Sequence, residues 1–496
     1  MLPILLLGAA LRITPLTDSR LHPDEALFAT LARLIVEGRD PWLAHTHLLV
    51  DKPPLFYYTL AAGVALSWAH EMSTRLPGLF ASMIGIALAA RVAWNVWASR
   101  AASWLTALFV ALSPLAIAFA PTAFADPLMA MWLLAALVMI SARRWGWAGL
   151  GYGLALATKQ NALFFAPLVA GIGLIQSVTL RTRWRDCSGW AARFGVGVGL
   201  CVVLMVAWEA VRHTGDGFWA AGIEANNPGR LIRSTELGPR AAAWWRWGSY
   251  IGGSGVATAA LVAALGAVGV AEAAQQHTRG AVASLALLTF LIGYLTFLWL
   301  VAFPVLDRYL LPVVPLIGML VGRGASLACP AAARLLQRKR GIPESNRGLR
   351  LVASPRGAGL LLAALLIPSA VAAARSEVPV GGDHGAYDGI QQVAAYLGKQ
   401  PWGTVVYYDT LGWTLAYYLF DSAVYLSPFA SPSALAADLA AFAVPGEARY
   451  LALPGWESHT EILEAVLEAG CTYEGVMETH DRFGNRSFVV YRIQCP

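Results

Sequence analysis

The chain has 496 residues, of which 57% are hydrophobic and 13% are charged, and its mean hydropathy is +0.56. A soluble globular protein of ordinary surface-to-core balance does not have this composition, so we predict a polytopic α-helical membrane protein. The net charge of +6 is modest and the basic residues lie mostly between hydrophobic segments, which argues against a nucleic-acid partner.

Segments that could cross a membrane recur from the start of the chain to about residue 375. A helix of about 17 to 25 apolar residues spans a hydrocarbon layer of about 30 Å. The first segment lacks a basic region and a clear cleavage site, which favours a retained span over a removed signal peptide. We predict eleven spans, at about 2–17, 76–92, 102–120, 127–142, 146–158, 161–178, 190–210, 248–270, 281–303, 308–327 and 357–375.

The basic residues predict the orientation of these spans. With a cytoplasmic N-terminus, the arginine-rich loops all fall on the cytoplasmic side, as the positive-inside rule requires. Loops 18–75 and 211–247 and the C-terminal region then lie on the outer face. Segment 53–70 is apolar enough to span, but counting it would invert every later loop, so we predict an interfacial helix. The alternative is a span paired with an unrecognised re-entrant segment, because hydropathy does not separate the two.

The sequence changes character after residue 376. Five strand-like runs, for example "TVVYYD" and "RYLALP", alternate with helical patterns at 387–399, 410–420, 432–443 and 457–469. We therefore predict two domains. Residues 1–375 form a transmembrane domain whose first outer loop, 18–75, carries an acidic motif, and residues 376–496 form a small extracytoplasmic α/β domain.

Two cysteines of the predicted outer domain are expected to form a disulfide. Cys471 and Cys495 lie on two strand-like runs, equidistant from a turn-forming cluster around Phe483, so an antiparallel hairpin would place them opposite each other. Cys187 and Cys329 fall at cytoplasmic positions and Cys201 falls within a span, where thiols stay reduced. Two unrelated small apolar side chains remain the alternative.

Ionisable residues at the ends of hydrophobic segments are costly, which makes them candidates for function. A carboxylate can accept the proton of an attacking hydroxyl or amine, and Lys or Arg can stabilise the charge of a leaving phosphate. The set therefore predicts sugar transfer from a lipid phosphate. A nucleotide sugar fits less well, because no Gly-rich phosphate loop precedes the spans. On the predicted topology the set shares the outer membrane boundary and comprises Asp24, Glu25, Lys52, Asp126, Lys159, Glu209, Asp307 and Arg308.

Five motifs in this order resemble the GT-C superfamily of polyprenol-dependent glycosyltransferases: "LHPDEA", "DKPPLFYY", "TAFADPLM", "ATKQNALFFAP" and "DRYLLPVVP". The resemblance covers about residues 1 to 330. It is strongest to the protein O-mannosyltransferases, the lipid A aminoarabinose transferases and the bacterial lipopolysaccharide-core transferases. It implies a GT-C-like fold with outer interfacial helices, a polyprenyl-phosphate sugar as donor, and a lipid glycan, cell-wall polymer or protein as acceptor.

The resemblance also implies roles for single residues. Asp24 matches the catalytic base, with Glu25 beside it positioning substrate or acting as a secondary acid, and Asp126 matches the second acidic motif. The predicted substrate-binding residues are Lys52, Lys159, Arg308, Tyr309 and His22. Lys52 would approach the carrier phosphate, and Arg308 matches the arginine of the late motif. The chain departs from its relatives at Gln160 and Asn161, where they commonly have Gly-Pro.

Structural roles are the alternative for these residues. Asp24 and Glu25 could cap a helix that starts at Pro23. Lys52 and Lys159 could be interfacial anchors. Yet only four of the 36 basic residues are lysines and two of them lie in these motifs, which favours function. Arg308 could simply pair with Asp307.

Three histidines of the first outer loop, His22, His45 and His47, could bind a divalent metal together with Asp24. Loop histidines are commonly just solvated, so we predict no required cofactor and no metal ligands, and leave divalent metal binding open.

We expect an inverting glycosyltransferase of a bacterial inner membrane with its active site on the outer face, membrane lipids around it and no nucleic-acid partner. A transporter or flippase of lipid-linked saccharides is the main rival. Such proteins place ionisable residues near the bilayer midplane and show internal repeats, which this chain does not. A non-catalytic membrane scaffold would need no such cluster of acids and cations.

Overall fold

The computed structural model describes residues 1–16, 20–67, 71–178, 184–215, 217–226, 230–274, 278–340 and 354–496. The chain forms two compact units. The first unit contains Met1–Asp18 and Gly38–Gly382, and the second unit contains Ser19–Glu37 and Asp383–Pro496. His70, at the end of the predicted interfacial helix, lies outside the described residues.

The first unit is helical. Among the described residues, seven helical segments are long and apolar enough to cross a membrane, and several further apolar helices are shorter. Its helices are α1 (Leu2–Ile13), α3 (Pro54–Ser67), α4 (Glu71–Trp97), α5 (Arg100–Leu112), α6 (Pro114–Ala118), α7 (Ala125–Ser141), α8 (Trp145–Thr158), α9 (Ala166–Val178), α10 (Trp184–Arg212), α11 (Phe218–Asn226), α12 (Leu237–Gly252), α13 (Gly255–Ala273), α14 (Arg279–Leu300), α15 (Val314–Arg340) and α16 (Pro355–Ala374). The prediction of a polytopic helical membrane fold is confirmed, whereas the number of eleven spans stays a prediction.

Two predicted spans are interrupted helices. Segment 102–120 divides at Ser113, because Pro114 cannot donate an amide hydrogen bond to the carbonyl of Val110. Segment 248–270 divides at Gly253, whose φ of +83° ends α12 before Ser254 caps α13. Hydrophobicity alone does not distinguish a continuous helix from two joined ones, so the sequence prediction merged them.

A buried arginine donates hydrogen bonds to the backbone carbonyls at the break between α5 and α6. Arg12 of α1 is fully buried and donates to the carbonyl of Val110 at 2.8 Å and to that of Ala111 at 2.9 Å. Its Nε also donates to Ser82 Oγ at 2.9 Å. Because a buried carbonyl without a partner is costly, Arg12 stabilises the interruption and joins α1 to α4 and α5.

The second unit is a five-stranded mixed sheet with helices. Strands β1, β2 and β3 pair in parallel, and β5 and β4 continue antiparallel in the order β2-β1-β3-β5-β4. The strands are β1 (Val405–Tyr408), β2 (Tyr425–Pro428), β3 (Arg449–Pro454), β4 (Thr472–His480) and β5 (Arg486–Gln494). The helices are α2 (Pro23–Val36), α17 (Ile390–Leu397), α18 (Gly412–Tyr418), α19 (Pro432–Phe442) and α20 (Thr460–Glu468). These elements confirm the predicted small α/β fold at the C-terminal end.

Helix α2 belongs to the second unit, although it lies more than 350 residues before the sheet in the sequence. The compact units therefore divide the chain at other residues than the predicted domains 1–375 and 376–496. Neither hydropathy nor motif spacing could indicate this grouping, because it depends on the packing of α2 against a distant helix.

The predicted disulfide between Cys471 and Cys495 is present, with alpha carbons 4.2 Å apart. The pairing of Thr472 with Gln494 sets the register, and Gly484 adopts a φ of +84° in the connecting turn. Cys201 is a free, buried thiol. The side chains of Cys187 and Cys329 lie outside the described residues. The hairpin geometry inferred from the sequence is thus confirmed.

Replacing both cysteines, Cys471→Ser with Cys495→Ser, should lower the free energy of unfolding of the second unit. The bridge closes a loop across a sequence separation of 24 residues. Chain-entropy arguments give about 3 kcal/mol for a loop of this size. Urea-dependent proteolysis of the full chain in detergent measures the change, with Cys201→Ala as the matched control. Two free thiols in non-reducing peptide maps of protein from native membranes would contradict the bridge.

Candidate active site

A buried ion pair joins two of the predicted site residues in the first unit. Asp126 lies in the first turn of α7, and Lys159 follows α8 in an extended conformation. Lys159 Nζ donates to both carboxylate oxygens of Asp126, at 2.7 and 2.8 Å. Lys159 is 5% and Asp126 1% exposed, so the pair is held out of water. Removing one partner would leave an uncompensated buried charge.

Lys52 is held by a carboxylate that the sequence analysis did not select. Its Nζ contacts Asp51 Oδ2, and its backbone N–H donates to Tyr57 Oη at 3.1 Å. Asp51 is 5% exposed, and its Oδ1 has no hydrogen-bond partner within the described part of the chain. Pro54 starts α3 directly after this segment. The signal in the sequence was the acid immediately before the Lys-Pro-Pro motif.

Arg308 and Tyr309 lie in the 3-10 helix Asp307–Val313. Asp307 uses its carboxylate for two backbone hydrogen bonds. Its Oδ1 accepts the backbone N–H of Arg308 at 2.7 Å, and its Oδ2 accepts that of Gly381 at 3.0 Å. The Arg308 guanidinium lies 5.0 Å from the ring centre of Phe124. Asp307 therefore fixes the backbone around Arg308.

Gln160, one of the two residues at which this chain departs from related sequences, has a structural role. Its Nε2 donates to the carbonyl of Asp51 at 2.7 Å and to that of Phe218 at 3.4 Å. A β-carbon on Gly222 would lie 2.7 Å from the same Nε2, so α11 needs a glycine there to approach. Gln160 thus joins the Lys52 segment to α11.

A cavity of about 270 Å³ brings the cations together. Lys52, Lys159 and Arg308 line it, together with Tyr309, whose ring centre lies 5.3 Å from Lys159 Nζ. Lys52, Lys159 and Arg308 carry like charges on one cavity, and these charges repel one another. An anion that entered the cavity would relieve this repulsion, so the site is suited to a phosphate.

A larger apolar cavity adjoins this polar one. It has a volume of about 680 Å³ and lies between α9 and α14. Both cavities are lined by Leu163 and Phe164, which therefore separate a cationic compartment from a hydrocarbon-like one. This arrangement fits a ligand with an anionic head and a long apolar chain.

The predicted residues Asp24, Glu25 and His22 lie in the second unit. His22 caps α2: its Nδ1 accepts the N–H of Asp24 at 3.1 Å, and Glu25 Oε2 accepts the N–H of His22 at 3.0 Å. This is a reciprocal capping box. Glu25 is 2% exposed, whereas Asp24 is only partly buried. The two adjacent acids therefore differ in availability, and Asp24 is the one that solvent can reach.

The second unit surrounds this N-terminus with residues that the sequence analysis missed. Burial raises the pKa of Asp383 above its usual range, although the nearby His22 and the N–H of Ala386 oppose the shift. Burial also raises the pKa of Tyr387 to about 12, and the carboxylates of Asp383, Glu457 and Asp24 add to this shift. Their spacing in the sequence gave no signal, because tertiary packing brings them near α2.

The structure thus brings together Lys52, Lys159, Asp126, Arg308 and Tyr309 in the first unit, and His22, Asp24 and Glu25 in the second. His45 and His47 belong to the first unit and His22 to the second. Within the described ranges, no group of three or more His, Cys, Asp or Glu side chains is placed to hold a metal ion.

Two sequence comparisons found proteins that are similar to part of this chain. Residues 51–208 match the protein family described as dolichyl-phosphate-mannose-protein mannosyltransferase. A curated relative from Pectobacterium carotovorum, an undecaprenyl phosphate-alpha-4-amino-4-deoxy-L-arabinose arabinosyl transferase, is 25% identical over 234 residues. That alignment spans 44% of this chain and 40% of the relative.

Solved structures share the fold over nearly the whole chain. ArnT from Cupriavidus metallidurans in the apo state has a TM-score of 0.64 at 16% identity, covering 99% of this chain and 96% of that one. The same protein bound to undecaprenyl phosphate gives 0.63. The oligosaccharyltransferase AglB from Archaeoglobus fulgidus, in complex with an inhibitory peptide and a dolichol-phosphate, gives 0.50 at 13% identity and covers 98% and 74%. The chain has the GT-C fold of ArnT, and 234 of its residues are similar to a curated arabinosyl transferase.

Proposed function

We propose that this protein is a membrane glycosyltransferase that moves a sugar from a polyprenyl-phosphate donor to a lipid glycan, cell-wall polymer or protein. The observation that carries the proposal is the pair of adjoining cavities in the first unit, one lined by three cations and one apolar. A polyprenyl phosphate has the same two chemical parts in the same order.

The cationic cavity would bind the donor phosphate. Lys52 and Lys159 are already oriented by Asp51 and Asp126, so little side-chain entropy is lost when the phosphate binds. Charge on the phosphate grows as the bond to the sugar breaks, and fixed cations in a site of low polarity stabilise that charge strongly. The cavity is therefore suited to stabilising the leaving group.

The apolar cavity would accept the first isoprene units of the carrier. Phe164, Phe290 and Phe297 line it, and their rings offer contact area without polar groups. ArnT from Cupriavidus metallidurans, which shares the fold, has been solved with undecaprenyl phosphate bound. We infer the same class of carrier for this chain.

The reaction would be a single displacement. An acceptor hydroxyl or amine attacks the anomeric carbon, the bond from that carbon to the phosphate oxygen breaks, and the lipid phosphate leaves with the electron pair. Asp24 takes the proton of the acceptor, which the partial exposure of its carboxylate permits. One displacement inverts the configuration at the anomeric carbon.

The other two acids support this assignment by their contacts. The Asp126 carboxylate is occupied by Lys159, so Asp126 would contribute to catalysis by orienting that cation. The Glu25 carboxylate accepts the N–H of His22 and would fix the helix turn that carries Asp24. Of the three predicted catalytic acids, Asp24 is therefore our choice for the base.

The proposed location is the outer face of a bacterial inner membrane. The chain is a multi-pass membrane protein, and the positions of its arginines favour outer placement of the site loops. The acceptor would then be a component of the cell envelope that has been carried across the membrane or assembled at its outer face.

A transfer assay tests the function directly. Membranes from a strain that lacks the protein supply native donor and acceptor, and purified protein in vesicles is added to them. Mass spectrometry should show loss of a lipid-linked sugar together with gain of its mass on an envelope component. Movement of the lipid across the bilayer without a new glycosidic bond would support a flippase instead and overturn the proposal.

Asp24→Asn should lower the rate of transfer by about 10²- to 10⁴-fold, because an amide cannot take the acceptor proton. Binding of undecaprenyl phosphate should stay unchanged. Glu461→Gln is the matched control, since Glu461 is an exposed acid in the first turn of α20. A transfer rate near that of the wild type would refute the assignment of Asp24.

Lys52→Ala should weaken the binding of undecaprenyl phosphate and also slow transfer. A cation on a phosphate acts in both the ground state and the transition state, so both quantities should fall. Isothermal titration with the lipid in detergent measures the affinity. Lys399→Ala, an exposed lysine of the second unit, serves as control. Equal affinity of Lys52→Ala and the wild type would contradict phosphate binding by Lys52.

Variants of the Lys159–Asp126 pair distinguish a structural role of Lys159 from a role in binding the lipid phosphate. Lys159→Met alone should lower the free energy of unfolding by about 3–5 kcal/mol, because it leaves Asp126 buried without its partner. The double variant Lys159→Met with Asp126→Leu should recover most of this loss in a thermal unfolding assay. Its affinity for undecaprenyl phosphate should nevertheless remain lower than that of the wild type, because the cation of Lys159 is absent. Wild-type affinity in the stable double variant would show that Lys159 is only structural.

A further inference from the structure

Helix α2 packs into the second unit through small residues on one of its faces. Ala26 and Ala29 lie one turn apart on the same face, and both are completely buried. They form a cluster with Leu21 and with Tyr417 of α18. Small side chains let two helices approach closely, so this face of α2 is matched to the aromatic end of α18.

Arg33 fixes the same face of α2 two turns further on. It is 7% exposed, and its Nη2 donates to Asp421 Oδ2 at 2.5 Å and to Glu37 Oε1 at 3.3 Å. Its guanidinium carbon lies 4.0 Å from the ring centre of Phe420. A planar guanidinium that stacks on an aromatic ring and also pairs with a carboxylate has one strongly preferred orientation.

The N-terminal end of α2 is fixed as well. The backbone N–H of Leu21 donates to Tyr418 Oη at 3.4 Å, next to the capping box of His22 and Glu25. The turn that carries Asp24 is therefore flanked by contacts with the C-terminal end of α18 and with the two residues Phe420 and Asp421 that follow it. We call these contacts of Leu21, Arg33 and the buried alanines the anchor of α2. None of these residues lines the charged cavity of the first unit.

We propose that the C-terminal α/β domain acts as the positioning element of the catalytic base, and that Arg33, packed on Phe420 and paired with Asp421, is its key positioning residue. The proposal rests on the proposed function, in which Asp24 is the base. It assigns the domain a role in the rate of transfer and not in donor binding.

The physical reason is the sensitivity of proton transfer to distance. A base must lie within hydrogen-bond reach of the proton that it takes. A displacement of about 1 Å can cost about 10²-fold in rate. If α2 is released from α18, Asp24 keeps its chemistry but loses its fixed position. The donor phosphate is bound by other residues and should not sense the change.

The test is a double-mutant cycle on the full chain with Arg33→Met and Asp24→Asn. Membranes from a strain without the protein supply donor and acceptor, and undecaprenyl phosphate is the probe for donor affinity. Arg33→Met should slow transfer by about 10- to 100-fold with unchanged lipid affinity. The double variant should be no slower than Asp24→Asn alone, because the anchor acts only through Asp24.

Two further variants keep the test clear. Arg486→Met removes another Arg–Glu pair of the second unit, between β5 and β4, and should leave transfer unchanged. Asp421→Asn removes the charge of one exposed partner of Arg33 and leaves Arg33 in place, so it should give a several-fold loss even if Arg33→Met fails to fold. Hydrogen exchange of residues 23–36 should become faster in both anchor variants and stay normal in Arg486→Met.

The outcomes separate this proposal from the proposed function. Normal transfer in both anchor variants, while Asp24→Asn is slow, would overturn the positioning role and leave the base intact. Losses that multiply in the double variant would also overturn it, because Arg33 would then act independently of Asp24. Normal transfer by Asp24→Asn would instead refute the base, and with it the proposal for Arg33.

Discussion

The buried ion pair between Lys159 and Asp126 sets the conditions for the rest of the first unit. A lysine that is 5% exposed at the end of an apolar helix is tolerated only because both oxygens of a carboxylate face it. Lys52, which lines the same cavity as Lys159, is held by one oxygen of Asp51. Cations held in this way keep their orientation without a bound ligand, which supports the proposal that the cavity binds a phosphate.

The second unit applies a different constraint to the acidic helix. The carboxylate of Glu25 and the Nδ1 of His22 are used to cap α2, whereas Asp24 is partly exposed and takes no part in the cap through its side chain in the described hydrogen bonds. Arg33 and the small residues of α2 fix the helix on α18. The capping roles of Glu25 and His22 are therefore compatible with the proposed role of Asp24 as the base.

The sequence determined the fold class and indicated the candidate site residues. Hydrophobic segments of spanning length predict a membrane helix wherever they occur, because the bilayer fixes the length. The hairpin of Cys471 and Cys495 followed from symmetric spacing around a turn, since strand pairing is set by counting residues. Lys52, Asp126, Lys159 and Arg308 could be chosen because charge at a membrane boundary is costly and seldom accidental.

Tertiary structure alone decided which residues act together. Asp51 was passed over because a carboxylate beside a lysine in sequence need not bind it, and here burial enforces the pair. The membership of α2 in the second unit depends on contacts between residues nearly 400 positions apart, such as Arg33 and Asp421, and no local pattern encodes such a contact. Sequence patterns indicate local geometry and the free-energy cost of placing a charged residue beside an apolar segment. The partners of a side chain are set by long-range packing.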